Sequence, residues 1–136
     1  MAYLRHGQAL HTTLQYQHKE ALREQGIDAQ AEVPLTKPSG KQGRADLFAF
    51  LDKDSRDGLI TEFKTDRFDR LSPPQLQTRV DKYVQQVKDY RESRDLNLAS
   101  SQSFLHIDER PAMEGYAEYI EERCLEEGIM VFFLNE

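Results

Sequence analysis

Apolar positions along the chain change period repeatedly, and each change marks a new element. Up to Gln25 the spacing is helical: Leu10, Leu14 and Ala21 recur at helical intervals, and Gly26 is a suitable stop. Ala29 to Leu35 alternates as a strand, with Ala31 and Val33 on one side. Thr36 to Gly43 is a loop by composition. Arg44 to Thr65 then reads as two strands joined by a charged turn from Asp52 to Gly58. Thr65 to Pro74 is a polar connector, and Gln75 to Arg94 is the clearest helix, with Leu76, Val80, Val84 and Val87 as its apolar stripe. Ser103 to Asp108 is a fourth strand, with Leu105 and Ile107 on one side and Phe104 and His106 on the other. Met113 to Glu127 is an amphipathic helix with Met113, Ala117, Ile120 and Cys124 in its buried stripe, stopped by Gly128. Ile129 to Leu134 is a nearly unbroken apolar run, the pattern of a strand covered on both faces. The order is helix, three strands, helix, strand, helix, strand. That predicts an α/β fold, a mixed central sheet flanked by helices, with residues 1–136 forming a single domain.

Composition narrows this only a little. The chain is 38% hydrophobic and 31% charged, polar for a folded domain but too rich in strand-like runs to be disordered. No apolar run is long enough to cross a bilayer, and no signal-peptide pattern is visible. The single cysteine, Cys124, excludes an internal disulfide and a cysteine-based zinc site; it reads as a small core residue. The net charge of −6 argues against a nucleic-acid partner until its distribution is considered. Residues 96–136 carry two basic and nine acidic side chains, whereas residues 36–95 carry thirteen basic and eleven acidic ones. The acidity therefore lies C-terminal to the Arg44–Thr65 hairpin.

That hairpin holds the chemistry. On its second strand Glu62 and Lys64 point one way with Ile60, and Leu59, Thr61 and Phe63 point the other. Asp46 on the first strand supplies another carboxylate. Two carboxylates and an ammonium on neighbouring strands suit a metal and an activated nucleophile; the plainer reading is an ion pair on an ordinary hairpin. The connecting turn starts like a calcium loop, at Asp52 and Asp54. Its glycine falls one place late, however, and Phe63 stands where the closing glutamate belongs. Asp57-Gly58 is therefore read as the hairpin turn. The basic, glycine-bearing loop from Thr36 to Gly43 lacks the spacing of a P-loop. His11 and His18 lack the four-residue spacing of a helical metal site and are read as surface or packing residues, and His106 as a packed strand residue. Beside the apolar stripe of the Gln75–Arg94 helix runs a second one, Arg79, Tyr83, Gln86 and Tyr90, in which Gln86 and Tyr90 are one turn apart.

Asp46, then Glu62-Phe63-Lys64, preceded by Glu20 on a helix and followed by Gln86-Val-Lys-Asp-Tyr90 on the next helix, resembles the PD-(D/E)xK nuclease superfamily with its restriction-endonuclease-like fold. The final motif is similar to the Gln-x-x-x-Tyr of its RecB-like branch. The resemblance covers roughly residues 10–108, and Ala45 stands where the family name has proline. It implies a metal-dependent endonuclease acting on DNA or tRNA. Asp46, Glu62 and the Phe63 main-chain carbonyl would be metal ligands, joined by Glu20, and Lys64 would serve the attacking water. Gln86, Tyr90, Arg79 and Lys82 would position the substrate. Elementary electrostatics agrees: two carboxylates ~4 Å apart repel by about 4 kcal/mol at an effective dielectric of about 20. A hard cation, Mg²⁺ or Mn²⁺, relieves that repulsion. A small nuclease domain with an acidic end is also similar to the toxin domains of bacterial contact-dependent systems. Such a domain would be delivered from another cell, act in the cytoplasm and be blocked by an immunity protein. A small repair or phage-type nuclease, or a non-catalytic binding module on the same fold, are the alternatives.

Overall fold

The structure, a computed structural model, describes residues 2–52, 57–93 and 100–135. Its elements are α1 (Ala2–Glu24), β1 (Asp28–Thr36), β2 (Gln42–Asp52), β3 (Asp57–Lys64), α2 (Pro73–Arg91), β4 (Ser100–Glu109), α3 (Tyr116–Leu125) and β5 (Ile129–Asn135). This is the predicted order. The strands form one five-stranded sheet in which spatial order follows chain order. β1–β2 and β2–β3 pair antiparallel, as short connections allow. β3–β4 and β4–β5 pair parallel, which requires crossovers, and α2 and α3 supply them.

Two crossovers that step the same way across a sheet with the same hand lie on the same face. α2 and α3 do so here. Leu76, Val80, Val84 and Val87 pack with Leu105, Ile107, Ile120, Cys124 and Ile129. Burial pushes the Cys124 thiol up to about 11, so it is an unreactive core group. α1 covers the opposite face over the antiparallel half, where Leu14 and Leu22 pack on Ala29, Leu47, Ala49 and Phe63. Leu22 occupies the place expected of Ala21, which is exposed, and the side chain of Leu10 lies outside the described residues.

β5 departs from its predicted double coverage. Val131 and Phe133 pack on the α2–α3 core, but Met130 and Phe132 are 52% and 43% exposed on the other face. The packing partners of α1 among the described residues lie on β1, β2, β3 and, through His18 against His106, β4; none lies on β5. Other boundaries move for local reasons. Pro73 and Pro74 open α2 rather than precede it, because proline lacks only an amide that a first turn leaves unpaired. Ser72 caps the helix in a reciprocal capping box with Gln75. The connector contains a 3-10 turn, Phe68–Arg70, anchored by buried Phe68. α3 starts only at Tyr116, leaving Met113 exposed ahead of it. Asp57 and Gly58 lie within β3, paired with Asp52 and Phe50, so they are not the hairpin turn; the connecting residues 53–56 lie outside the described ones. Among the described residues no helix is long and apolar enough to cross a membrane.

One irregularity matters for function. β1 and β2 pair Ala31 with Leu47 and Val33 with Ala45, but Glu32 and Asp46 between them form no pair. Glu32 has φ 54°, a left-handed conformation that costs a non-glycine residue about 1–2 kcal/mol. Across this point the odd-numbered residues change partners. Ala29, Leu47 and Ala49 pack towards α1, whereas Val33, Leu35 and Ala45 pack with Tyr90 of α2. The alternation of both strands slips at one level, and Asp46 sits at the slip.

Candidate active site

Asp46 also marks where β2 and β3 part. Their ladder runs as far as Leu47 and Thr61. At the next level, carboxylates take the place of carbonyls. The Asp46 amide donates to Glu62 Oε2 at 2.8 Å, and the Phe63 amide donates to Asp46 Oδ2 at 2.9 Å. Each strand thus holds the other's acid. On the β1 side, the side-chain amide of Gln15 donates to both the Asp46 carbonyl and Glu32 Oε1. An amide nitrogen has two hydrogens, so a single residue of α1 serves both polar groups at the irregularity.

The two carboxyl groups sit in different environments. Glu62 is 1% exposed, and its Oε1 is buried without a hydrogen-bond partner. Burial first, and the Asp46 charge second, push its carboxyl well above the usual range. Burial would also raise Asp46, but hydrogen bonds from His11, Glu62 and the Phe63 amide outweigh it and hold Asp46 below its ordinary value. His11 Nε2 lies 3.0 Å from Asp46 Oδ2, and that hydrogen bond raises the imidazole against the opposing effect of burial. Two acids and an imidazole therefore share one cluster, with Glu62 shifted up, Asp46 shifted down and His11 shifted up by their surroundings.

Lys64 continues the site on the α2 side. Its Nζ donates to Gln86 Oε1 at 2.9 Å, and Gln86 Nε2 donates to the Tyr90 hydroxyl at 3.2 Å. The Arg44 amide donates to the same hydroxyl at 3.3 Å. This chain sets the orientation of the Gln86 amide: with its nitrogen turned to Tyr90, its oxygen faces the ammonium. The opposite orientation would set NH₂ against NH₃⁺. Tyr90 reaches β2 because position 43 is glycine; a Cβ there would stand 2.8 Å from Tyr90 Cε1.

The predicted residues thus fall into two groups. Asp46, Glu62, Phe63, Lys64, Gln86 and Tyr90 meet, with Phe63 entering through its main-chain amide. Arg79 instead pairs with Asp66, and Lys82 is exposed. Glu20 makes no described contact with Asp46 or Glu62. At about 100° per residue it lies about 200° round α1 from both His18 and Leu22, which face the sheet. His11 and Gln15 are the α1 residues at the cluster; the sequence reads His11 only as a surface or packing residue and gives Gln15 no role. Their signal was a polar intrusion into the buried stripe: His11, Gln15, His18 and Leu22 follow at spacings of four, three and four. His18 and His106 do pack, with ring centroids 4.7 Å apart beside Phe63.

Among the described residues no group of three or more His, Cys, Asp or Glu side chains is arranged to hold a metal ion. Two acidic side chains, one of them with a buried and unpaired oxygen, still match the oxygen preference of a hard cation. No family model, no curated protein and no solved structure matches this chain.

Proposed function

We propose that the chain is a metal-dependent nuclease with a restriction-endonuclease-like fold, hydrolysing phosphodiester bonds of DNA or tRNA. The observation that carries this reading is the exchange of amide hydrogen bonds at Asp46 and Glu62. It fixes two acids side by side at the mouth of a parted strand pair, with Glu62 Oε1 unpaired and the Lys64–Gln86–Tyr90 chain on the next turn of structure. Burying a carboxyl oxygen without a partner is unfavourable, so its retention needs a use.

Asp46 and Glu62 would hold a divalent ion such as Mg²⁺ or Mn²⁺. When bound, the ion supplies Lewis-acid polarisation of the phosphate and acidifies a coordinated water. The chain's own contribution is positional. The amides of Asp46 and Phe63 keep the two carboxylates from rotating apart, and His11 offsets part of their negative charge. Lys64 retains an N–H beyond the one given to Gln86, available to orient an attacking water and to offset charge growing on the phosphate oxygens. Gln86 and Tyr90 act on Lys64 rather than on the phosphate. The test is incubation of the purified protein with Mg²⁺ or Mn²⁺ and plasmid DNA or total tRNA, beside Glu62→Gln and Lys64→Ala. Cleavage by the wild type alone supports the reading; equal background from all three proteins on every substrate overturns it.

A further inference from the structure

Lys64 is held from a second side by a residue that belongs to none of the motifs carrying the nuclease resemblance. Its Nζ lies 4.2 Å from the centroid of the Tyr83 ring. Tyr83 stands three residues before Gln86 on α2, so adjacent turns of one helix present a ring face and an amide oxygen to the same ammonium. The ring is fixed in turn. Tyr83 is 8% exposed, and its hydroxyl donates to Asp66 Oδ2 at 2.7 Å. Arg79 pairs with that same oxygen. Asp66 lies two residues beyond Lys64, so the chain segment that carries the ammonium also anchors the ring beneath it.

We infer that Tyr83 is a positioning residue for Lys64, and that Arg79 and Asp66 serve the site by locking the Tyr83 ring. The catalytic part of this inference rests on the nuclease reading above. A lysine side chain has four rotatable carbons and a compact charge, so a single hydrogen bond leaves its head free to swing. A ring face attracts the cation without taking a directed hydrogen bond. With one N–H on Gln86 and one flank against Tyr83, the two remaining N–H groups have defined directions. Arg79, which the nuclease resemblance implies would position the substrate, acts two steps from the chemistry.

The experiment has two readouts, one of which needs no activity. In uniformly ¹³C,¹⁵N-labelled protein, the Lys64 side-chain resonances, assigned by their absence from Lys64→Gln, should lie upfield through the Tyr83 ring current. Tyr83→Phe should retain that shift and Tyr83→Leu should lose it. On the nucleic acid cleaved in the assay above, Tyr83→Leu should lower kcat by about 10- to 100-fold, the scale of a small misplacement, with KM little changed. Tyr83→Phe should restore most of kcat. Asp66→Asn, which keeps the ring but weakens its anchor, should move the Lys64 resonances part of the way and gives the answer if Tyr83→Leu does not fold. A wild-type Lys64 without an upfield shift, or a folded Tyr83→Leu with wild-type kcat, overturns the inference. A protein that shows the shifts but cleaves nothing overturns the nuclease reading and leaves the positioning of Lys64 supported.

Discussion

Asp46 and Glu62 stand on neighbouring strands, and each is held by an amide of the other's strand: Asp46 N–H on Glu62 Oε2, Phe63 N–H on Asp46 Oδ2. A regular ladder would use carbonyls at these positions. The substitution of carboxylates parts the strands and leaves Glu62 Oε1 buried without a partner.

On the proposed nuclease reading, Glu62→Gln should abolish cleavage, and whatever the activity it should make the fold more stable. The Glu62 carboxyl is raised in the folded state, first by burial and then by Asp46. A raised acid stabilises the folded state least when pH exceeds its unfolded value, because folding then requires either burying a charge or taking up a proton. Glutamine keeps an acceptor for the Asp46 amide and carries no charge. Its melting temperature should exceed the wild type's by a few degrees at pH 7.5, the shift that about 1 kcal/mol produces in a chain of this size. The two should converge as pH falls below the ordinary carboxylate range.

Divalent ions should reverse that ranking. A ligand that binds only the folded state stabilises it by about 2.7 kcal/mol at a hundredfold excess over Kd. Mn²⁺ titrated into the wild type should raise its melting temperature progressively. Glu62→Gln should respond weakly, and Asp46→Asn likewise. A wild-type protein that melts at the same temperature with and without the ion would exclude Asp46 and Glu62 as its ligands.

Gly43→Ala should damage stability and, on the proposed nuclease reading, cleavage as well. The new Cβ would stand 2.8 Å from Tyr90 Cε1, and Tyr90 is buried, so the ring cannot simply swing into solvent. Overpacking of this kind costs about 1–3 kcal/mol. Moving the ring also moves the hydroxyl that fixes the Gln86 amide, and with it the acceptor for Lys64. Denaturant unfolding and kcat should therefore fall together. An exposed control on α1, Thr13→Ala, should change neither much.

The parts of this arrangement that the sequence displays are the periodic ones. Alternation alone puts Glu62 and Lys64 on one face and Phe63 on the other, and four-residue spacing alone stacks Gln86 on Tyr90. The parts it conceals depend on partners distant in the chain. His11 meets Asp46 across 35 residues, and a histidine on a helix carries no mark of the strand it will face. Glu32 gives no sign of its positive φ, since that conformation usually announces itself through glycine or asparagine. Asp57-Gly58 has the composition of a tight turn, yet pairing with β2 extends β3 through it. The open face of β5 follows from how far α1 reaches, a tertiary property that the apolar run from Ile129 to Leu134 cannot encode.

His106 gives the clearest pH dependence. Its Nδ1 is buried without a hydrogen-bond partner, and burial, with His18 facing it, lowers the imidazole to about 4. In the unfolded chain a histidine titrates near its ordinary value of about 6.5. Between these values the unfolded chain binds a proton that folded His106 refuses, so stability falls as pH drops through that window and levels off below it. The difference corresponds to at most about 3–4 kcal/mol at about 1.4 kcal/mol per unit. His11 has the opposite sign: raised by Asp46, it contributes stability that is complete below its unfolded value and lost as pH rises through the folded one. The two are separated by comparison with a variant. His106→Phe removes the titrating group and keeps an aromatic ring beside Phe63 and Phe132. Urea unfolding at pH 7 and pH 4.5 should show a smaller loss of stability on acidification for His106→Phe than for the wild type. Equal losses would mean that His106 gains a proton in the folded state as readily as in the unfolded chain, which the packing of its ring against His18 and Phe63 forbids.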